Sequence, residues 1–169
     1  MTILVFSDSH GNPSLMDRAI SAQLKAGRLD AVFFLGDGIR DAVLMAKKYP
    51  AVRFECVLGN CDAAGDVKDE LTDTSYERIV TLGAYKFLLM HGHKFDVKYS
   101  LKDAAVHGIE LGADCIFFGH THRAEDTSVD CVSGKIRMIN PGSCGIGYKR
   151  SFALVESYHG EIICGFGES

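Results

Sequence analysis

The chain has 169 residues, 47% of them hydrophobic, which suits a single domain over residues 1–169 with one continuous core. Its formal net charge of -4 at pH 7 comes without any run of five like charges, which excludes the basic surface of a protein that coats extended nucleic acid or a membrane. No stretch of eighteen apolar residues occurs, so no transmembrane helix is expected.

The N-terminal MTILVFSDSHG passes from an apolar strand into polar residues with no basic leader, and a cytoplasmic location is the expectation. Apolar runs of strand length, mostly β-branched or aromatic, recur at 3–6, 31–35, 54–58, 87–90, 115–118, 136–139, 152–155 and 161–164. After the first run, Asn12 as N-cap and Pro13 at the first helical position open a helix. It carries Leu15, Met16, Ala19, Ile20 and Leu24 on one face and ends at Gly27. A second helix is expected over about 41–48, stopped by Pro50, and a third from Ser100, with Asp103 as its capping-box partner, to near Gly112. The segment 63–74, with Gly65 and several charges, reads as the most flexible loop. The order β-α-β-α-β, then β-α-β, then a strand-rich tail with turns at Asn140-Pro141-Gly142 and His159-Gly160 predicts an α/β fold, α+β by a stricter label. The six cysteines stand singly at irregular spacings without a CxxC pair and read as reduced, mostly core thiols.

The chemistry gathers where strands end. SDSH follows the first strand (Asp8, His10), GDG the second (Asp37), GNCD the third (Asn60, Cys61, Asp62), HGH the fourth (His91, His93) and GHTH the fifth (His120, His122). In a parallel α/β sheet the carboxyl ends of strands line one crevice, so residues far apart in sequence converge there. A spacing of two residues points both side chains of a pair to one face of an extended chain. Five of the seven histidines fall in these exits, while His107 and His159 read as ordinary helix and turn residues. The donor mixture suits borderline-hard ions such as Mn²⁺, Fe²⁺, Ni²⁺ or Zn²⁺, offers too few carboxylates for a calcium cage, and suffices for two ions.

The ordered set DxH, GD, GN(C)D, HGH and GHTH resembles the calcineurin-like metallophosphoesterases, most closely the small YfcE-type phosphodiesterases, over nearly the whole chain. That resemblance implies a two-sheet β-sandwich flanked by helices, a four-layer fold with its site at the sheet edge. It further implies that Asp8, His10, Asp37 and His122 hold one divalent ion and that Asp37, Asn60, His91 and His120 hold another, with Asp37 as the bridge. Mn²⁺ is the first choice, with Fe, Ni, Zn or Mg as alternatives. The implied reaction is hydrolysis of a P–O bond in a small phosphate ester by a hydroxide shared between the ions. Candidate catalytic residues are Asp37, Asn60, Cys61, Asp62 and His93.

Cys61 departs from the wider family, which places histidine after the asparagine ligand. A thiol near its usual pKa of about 8.5 cannot replace an imidazolium at neutral pH, so activated or diester substrates are favoured over ordinary monoesters. Cys61 either contacts substrate or packs beside the ions, and His93 orients a ligand, contacts substrate or stands as a polar residue at the mouth of the site. The NPGS turn at 140–143 and the pair Lys149-Arg150 read as a strand-closing turn and a solvated surface pair. Two rivals stand beside the enzyme: a non-catalytic, protein-binding scaffold like the retromer-type trafficking subunit, and a nuclease acting on short nucleic acid. Self-association into a homo-oligomer is compatible with the sequence.

Overall fold

In β1 (Thr2–Phe6) Ile3 and Val5 face one way and Leu4 and Phe6 the other, and all four are buried. A strand buried on both faces must lie between two layers. The computed structural model, which describes residues 1–63, Gly65 and 75–169, meets that requirement with four layers.

After β1 come α1 (Ser14–Ala26), β2 (Ala31–Phe34), α2 (Ile39–Lys48), β3 (Arg53–Cys56), β4 (Glu77–Leu82) and β5 (Tyr85–Met90). A one-turn 3-10 helix, His93–Phe95, leads to α3 (Lys102–Glu110), β6 (Cys115–Phe117), β7 (Ala124–Cys131), β8 (Gly134–Pro141), β9 (Ser151–Tyr158) and β10 (Glu161–Glu168). One sheet runs β10-β9-β1-β2-β3 and the other β4-β5-β6-β8-β7. Each has three parallel strands, β1-β2-β3 in one and β5-β6-β8 in the other, with antiparallel strands added at the edges. The fold is therefore α/β, as expected, with mixed sheets.

Alternating side chains sort into the layers. Ile3, Val5, Phe33, Phe87, Leu89, Phe117, Ile139 and Val155 fill the space between the sheets. There the Phe33 ring meets Phe87 and Phe117 edge-on, with centroids 5.9 and 5.6 Å apart. The opposite face of the first sheet packs on α1 and α2, and that of the second sheet on α3. Among the described residues, no helix is long and apolar enough to cross a membrane.

Ten strands stand among the described residues where eight were expected. The additions, β4 and β7, are sheet-edge strands; β4 buries only Val80 fully and β7 buries none of its residues, so neither shows an apolar run. Helix α1 begins one residue late: Pro13 holds the cap position while Asn12 Oδ1 accepts the Ser14 N–H at 3.4 Å. Leu24 is 41% exposed and leaves the buried face. Helix α2 begins two residues early because the carboxylate of Asp62, on another loop, accepts the N–H groups of Gly38 and Ile39. At α3 the expected capping box does not form, and Ser100 Oγ instead accepts the Lys102 N–H at 3.2 Å. The expected flexible loop 63–74 lies outside the described residues apart from Ala63 and Gly65.

Phe33→Ala should cost about 3–5 kcal/mol in denaturant unfolding, since it opens a cavity among three interlocked rings. Leu24→Ala, on the exposed side of α1, should stay within about 0.5 kcal/mol of the parent.

Candidate metal centre

The carboxyl ends of β1, β2 and β3 in one sheet and β5 and β6 in the other open at one edge of the sandwich, where backbone hydrogen bonds stitch their loops together. Asp8 N–H donates to Gly36 O at 2.9 Å, His10 N–H to Asp37 O at 3.1 Å and Gly119 N–H to His91 O at 3.1 Å. Asp8, His10, Asp37, His120 and His122 all hold positive φ, between 46° and 69°. Non-glycine residues enter that region at a cost of about 1–3 kcal/mol each and stay there only where the surroundings over-determine them. One such constraint is the contact of Gly36 with Gly59: a Cβ on Gly36 would strike the Gly59 backbone, and one on Gly59 would strike the Asp37 carboxylate.

The donor atoms fall into groups. Asp8, His10 and His122 form one, and Asp37, His91 and His120 another, each with its donor atoms within 4.8 Å of one another. In the first, Asp8 Oδ1 lies 3.1 Å from His122 Nε2 and 3.8 Å from His10 Nε2. In the second, His91 Nε2 lies 3.2 Å from Asn60 Oδ1, 3.2 Å from His120 Nδ1 and 3.4 Å from Asp37 Oδ2. Asp37 Oδ2 is also 3.9 Å from His10 Nε2, so this one oxygen stands where the groups meet. A third group, His10, Asp37 and Cys61, overlaps both.

Burial sets the electrostatics. Desolvation alone would raise the Asp37 pKa, but hydrogen bonds from His91 and the Cys61 N–H outweigh it and hold the carboxyl well below the usual range. Asp37 thus adds stability at pH values above the ordinary carboxylate range and loses it only as the pH falls towards its own depressed value. Burial, followed by the repulsion of His91, lowers the His120 pKa to about 4. His91 is itself desolvated, yet its hydrogen bond to Asp37 and the field of Asp8 leave its pKa raised. Its Nδ1 contacts Leu35 O at 2.7 Å, so in the neutral ring, the form that a cation would bind, the proton stays on Nδ1 and the Nε2 lone pair faces the other donors. Asp8 Oδ1 is fully buried and accepts no hydrogen bond from the described residues. A buried carboxyl oxygen without a donor is costly, and a divalent cation held with His10 and His122 would remove that cost, so the residues fit such ions.

All seven expected metal ligands come together here, and so do Cys61 and His93. The Cys61 N–H binds Asp37 Oδ1 at 2.7 Å, and partial desolvation and the Asp37 carboxylate push its thiol pKa up. The His93 ring lies 5.4 Å from that of His91 and 6.1 Å from that of His120. The two oxygens of Asp62 accept four backbone N–H groups, from Asp37, Gly38, Ile39 and Gly59, at 2.7–2.9 Å, which commits the carboxylate to joining two loops.

Other braces went unread in the sequence. Buried Asn140 donates to Gly119 O at 2.9 Å and Thr121 Oγ1 at 3.0 Å, and Ser143 Oγ donates to Asp8 O at 2.8 Å, so the NPGS turn supports the site as well as closing strands. Asp41 Oδ2 accepts from Ser9 Oγ at 2.6 Å and from the Gly11 N–H at 2.8 Å. An asparagine in a turn was a visible signal for the first brace; nothing local marks Asp41.

The sequence matches the calcineurin-like phosphoesterase superfamily domain over residues 1–159. The probable metallophosphoesterase YsnB of Bacillus subtilis (strain 168) is 37% identical over 144 residues, covering 85% of this chain and 75% of that protein. A conserved protein of Streptococcus pneumoniae TIGR4, described as a predicted phosphoesterase, has a similar crystal structure, with 25% identity, a TM-score of 0.73, and coverage of 98% of this chain and 87% of that one. Vps29 of Entamoeba histolytica, solved in complex with Zn²⁺, shares the fold at 22% identity and a TM-score of 0.66, over 99% of each chain.

Asp62→Asn should lower stability by about 2–4 kcal/mol, because an amide cannot accept four N–H groups, and should weaken Mn²⁺ binding although Asp62 supplies no ligand. Denaturant unfolding paired with Mn²⁺ titration checks this. A variant as stable as the parent but inactive would return Asp62 to the catalytic groups.

Proposed function

Since the chain belongs to the calcineurin-like phosphoesterase superfamily, we propose that it is a binuclear metal-dependent phosphoesterase that hydrolyses a P–O bond in small phosphate esters and prefers diesters to alkyl monoesters. The observation that carries this reading is the division of the donor atoms into two groups that meet at Asp37 Oδ2. Asp8, His10 and His122 would hold one ion and Asn60, His91 and His120 the other, with Asp37 shared and Mn²⁺ first among the candidates. When bound, two such cations lower the pKa of a water towards neutrality and neutralise phosphoryl oxygens.

The chain's own residues do the rest. The Leu35 carbonyl fixes the His91 tautomer, and the hydrogen bond from the Cys61 N–H holds the Asp37 side chain in place. Five neutral donors, Asn60 and the imidazoles of His10, His91, His120 and His122, leave only two carboxyl groups among the ligands, so a loaded site is net positive and attracts an anionic ester. Cys61 stays a thiol at neutral pH and carries no positive charge to the leaving group. Esters whose leaving group departs without protonation are therefore the better substrates. A cytoplasmic setting and a small-molecule substrate accompany this reading.

A second reading draws on the likeness to Vps29: a protein-binding subunit that uses the fold without catalysis. The complete donor set favours the enzyme over that reading, and the net charge of -4 disfavours a nuclease.

The test is a panel of aryl and alkyl phosphomonoesters, diesters and cyclic nucleotides assayed with Mn²⁺, Ni²⁺, Fe²⁺ and Mg²⁺. Aryl diesters should be hydrolysed fastest, and turnover of none by metal-replete protein would favour the scaffold. Cys61→His should raise monoesterase relative to diesterase activity several-fold, more for alkyl than for aryl esters, since a placed acid is worth about 10²–10⁴-fold at best. An unchanged ratio, or the same shift in Cys61→Ala, would remove position 61 from leaving-group chemistry.

A further inference from the structure

Three recesses border the donor residues, and they differ in chemistry. One of about 380 Å³ is lined by His10, Arg40 and Cys61, and another of about 310 Å³ by Lys98, Thr121 and Arg123. Both place cationic side chains beside the donor residues, together with the carboxylates of Asp41 and Asp62 in the first and of Glu125 in the second. The third, of about 410 Å³, is lined by the rings of Tyr76, His93 and Phe95 together with Met90, Glu77 and Lys94. Its aromatic surface suits a flat apolar group.

His93 connects this third cavity to the metal centre. Its ring lies 5.4 Å from that of the ligand His91 and 5.6 Å from that of Tyr76, so one imidazole separates the ligands from the cavity. Tyr76 is held before any ligand arrives, with Lys94 Nζ 3.7 Å from its ring centroid. A ring fixed in advance loses little entropy when a partner packs against it. A cavity of about 150 Å³ already admits a benzene ring, so this one has room for a ring joined to a sugar.

We propose that this cavity is the subsite for a planar aromatic arm, an aryl or nucleoside group esterified to the phosphorus, and that the preferred substrate is a phosphodiester carrying one such arm. The proposal rests on the phosphoesterase reading above and deepens it by naming the substrate class. The phosphorus sits at the metal ligands, the aromatic arm passes His93 to lie among Tyr76, Phe95 and Met90, and the other ester oxygen carries the leaving group. His93 then sets specificity as a wall of the subsite. This gives position 93 a use that metal coordination alone does not.

The test compares ligands that differ only in that arm. Phenylphosphonate and methylphosphonate are titrated into Mn²⁺-loaded protein by calorimetry, and 4-nitrophenyl phosphodiesters with a methyl, phenyl or thymidine-5′ second arm are compared for KM. The phenyl compounds should bind about tenfold more tightly than the methyl ones. Tyr76→Ala should bring that ratio close to one, whereas Tyr76→Phe, which keeps the ring, should preserve it. A thymidine arm that gains further over phenyl identifies the arm as a nucleoside, and one that gains nothing identifies it as a simple aryl group. A phenyl-to-methyl ratio near one in the parent protein, or a ratio unchanged in Tyr76→Ala, overturns the proposal. Turnover of all three diesters with equal KM would overturn the subsite and leave the phosphoesterase reading intact. Discrimination between the phosphonates without turnover of any diester would do the reverse.

Discussion

Two buried carboxyl groups, Asp8 and Asp37, set the terms for the rest of this molecule. They lie at 0% and 3% exposure between sheets packed with aliphatic and phenyl side chains, at one edge of a core that offers them no bulk water. Burying such groups is expensive unless hydrogen bonds or cations compensate them. Asp37 takes the Cys61 N–H and lies beside two imidazoles, whereas Asp8 Oδ1 has imidazoles near it but accepts no hydrogen bond from the described residues. A divalent cation bound there would supply the remaining compensation, and the proposed chemistry of the site follows from that one need.

Holding the carboxyl groups and their histidines within a few ångströms requires backbone that no isolated loop would keep. Five candidate ligand residues sit at positive φ, each in a loop bonded to a loop from a different strand. Asp62 ties the loop after β3 to the start of α2, Asn140 ties the turn after β8 to the loop after β6, and Ser143 reaches the Asp8 carbonyl. These polar braces touch no ion; they convert the rigidity of the two sheets into fixed positions for the donors. Strain stored in the ligand loops is offset by this bracing and by the burial of Phe33, Phe87 and Phe117 beneath it.

Much of this was legible in the sequence because the donors follow apolar strands, and a parallel strand's end is where α/β proteins build sites. The runs containing Val5, Phe33 and Leu89 marked the central strands, since both of their faces are buried. β4 and β7 escaped notice because an edge strand with one wet face carries polar residues at alternate positions. The start of α2 and the role of Asp62 were hidden for a shared reason: the helix is capped by a carboxylate more than twenty residues away, and no local pattern encodes such a contact. Asn140 and Ser143 looked like turn residues because their partners, Gly119 and Asp8, are adjacent only in the folded chain.

The central claim is that one donor set holds a pair of ions sharing Asp37. Its most direct test is elemental analysis of the Mn²⁺-saturated protein after removal of free metal, run beside Asp37→Asn. The account predicts about two ions per chain in the parent and loss of both from the variant, since each group of ligands depends on the shared carboxylate. At most one ion under saturation, or a variant that loses one ion and keeps the other at parent affinity, would contradict it.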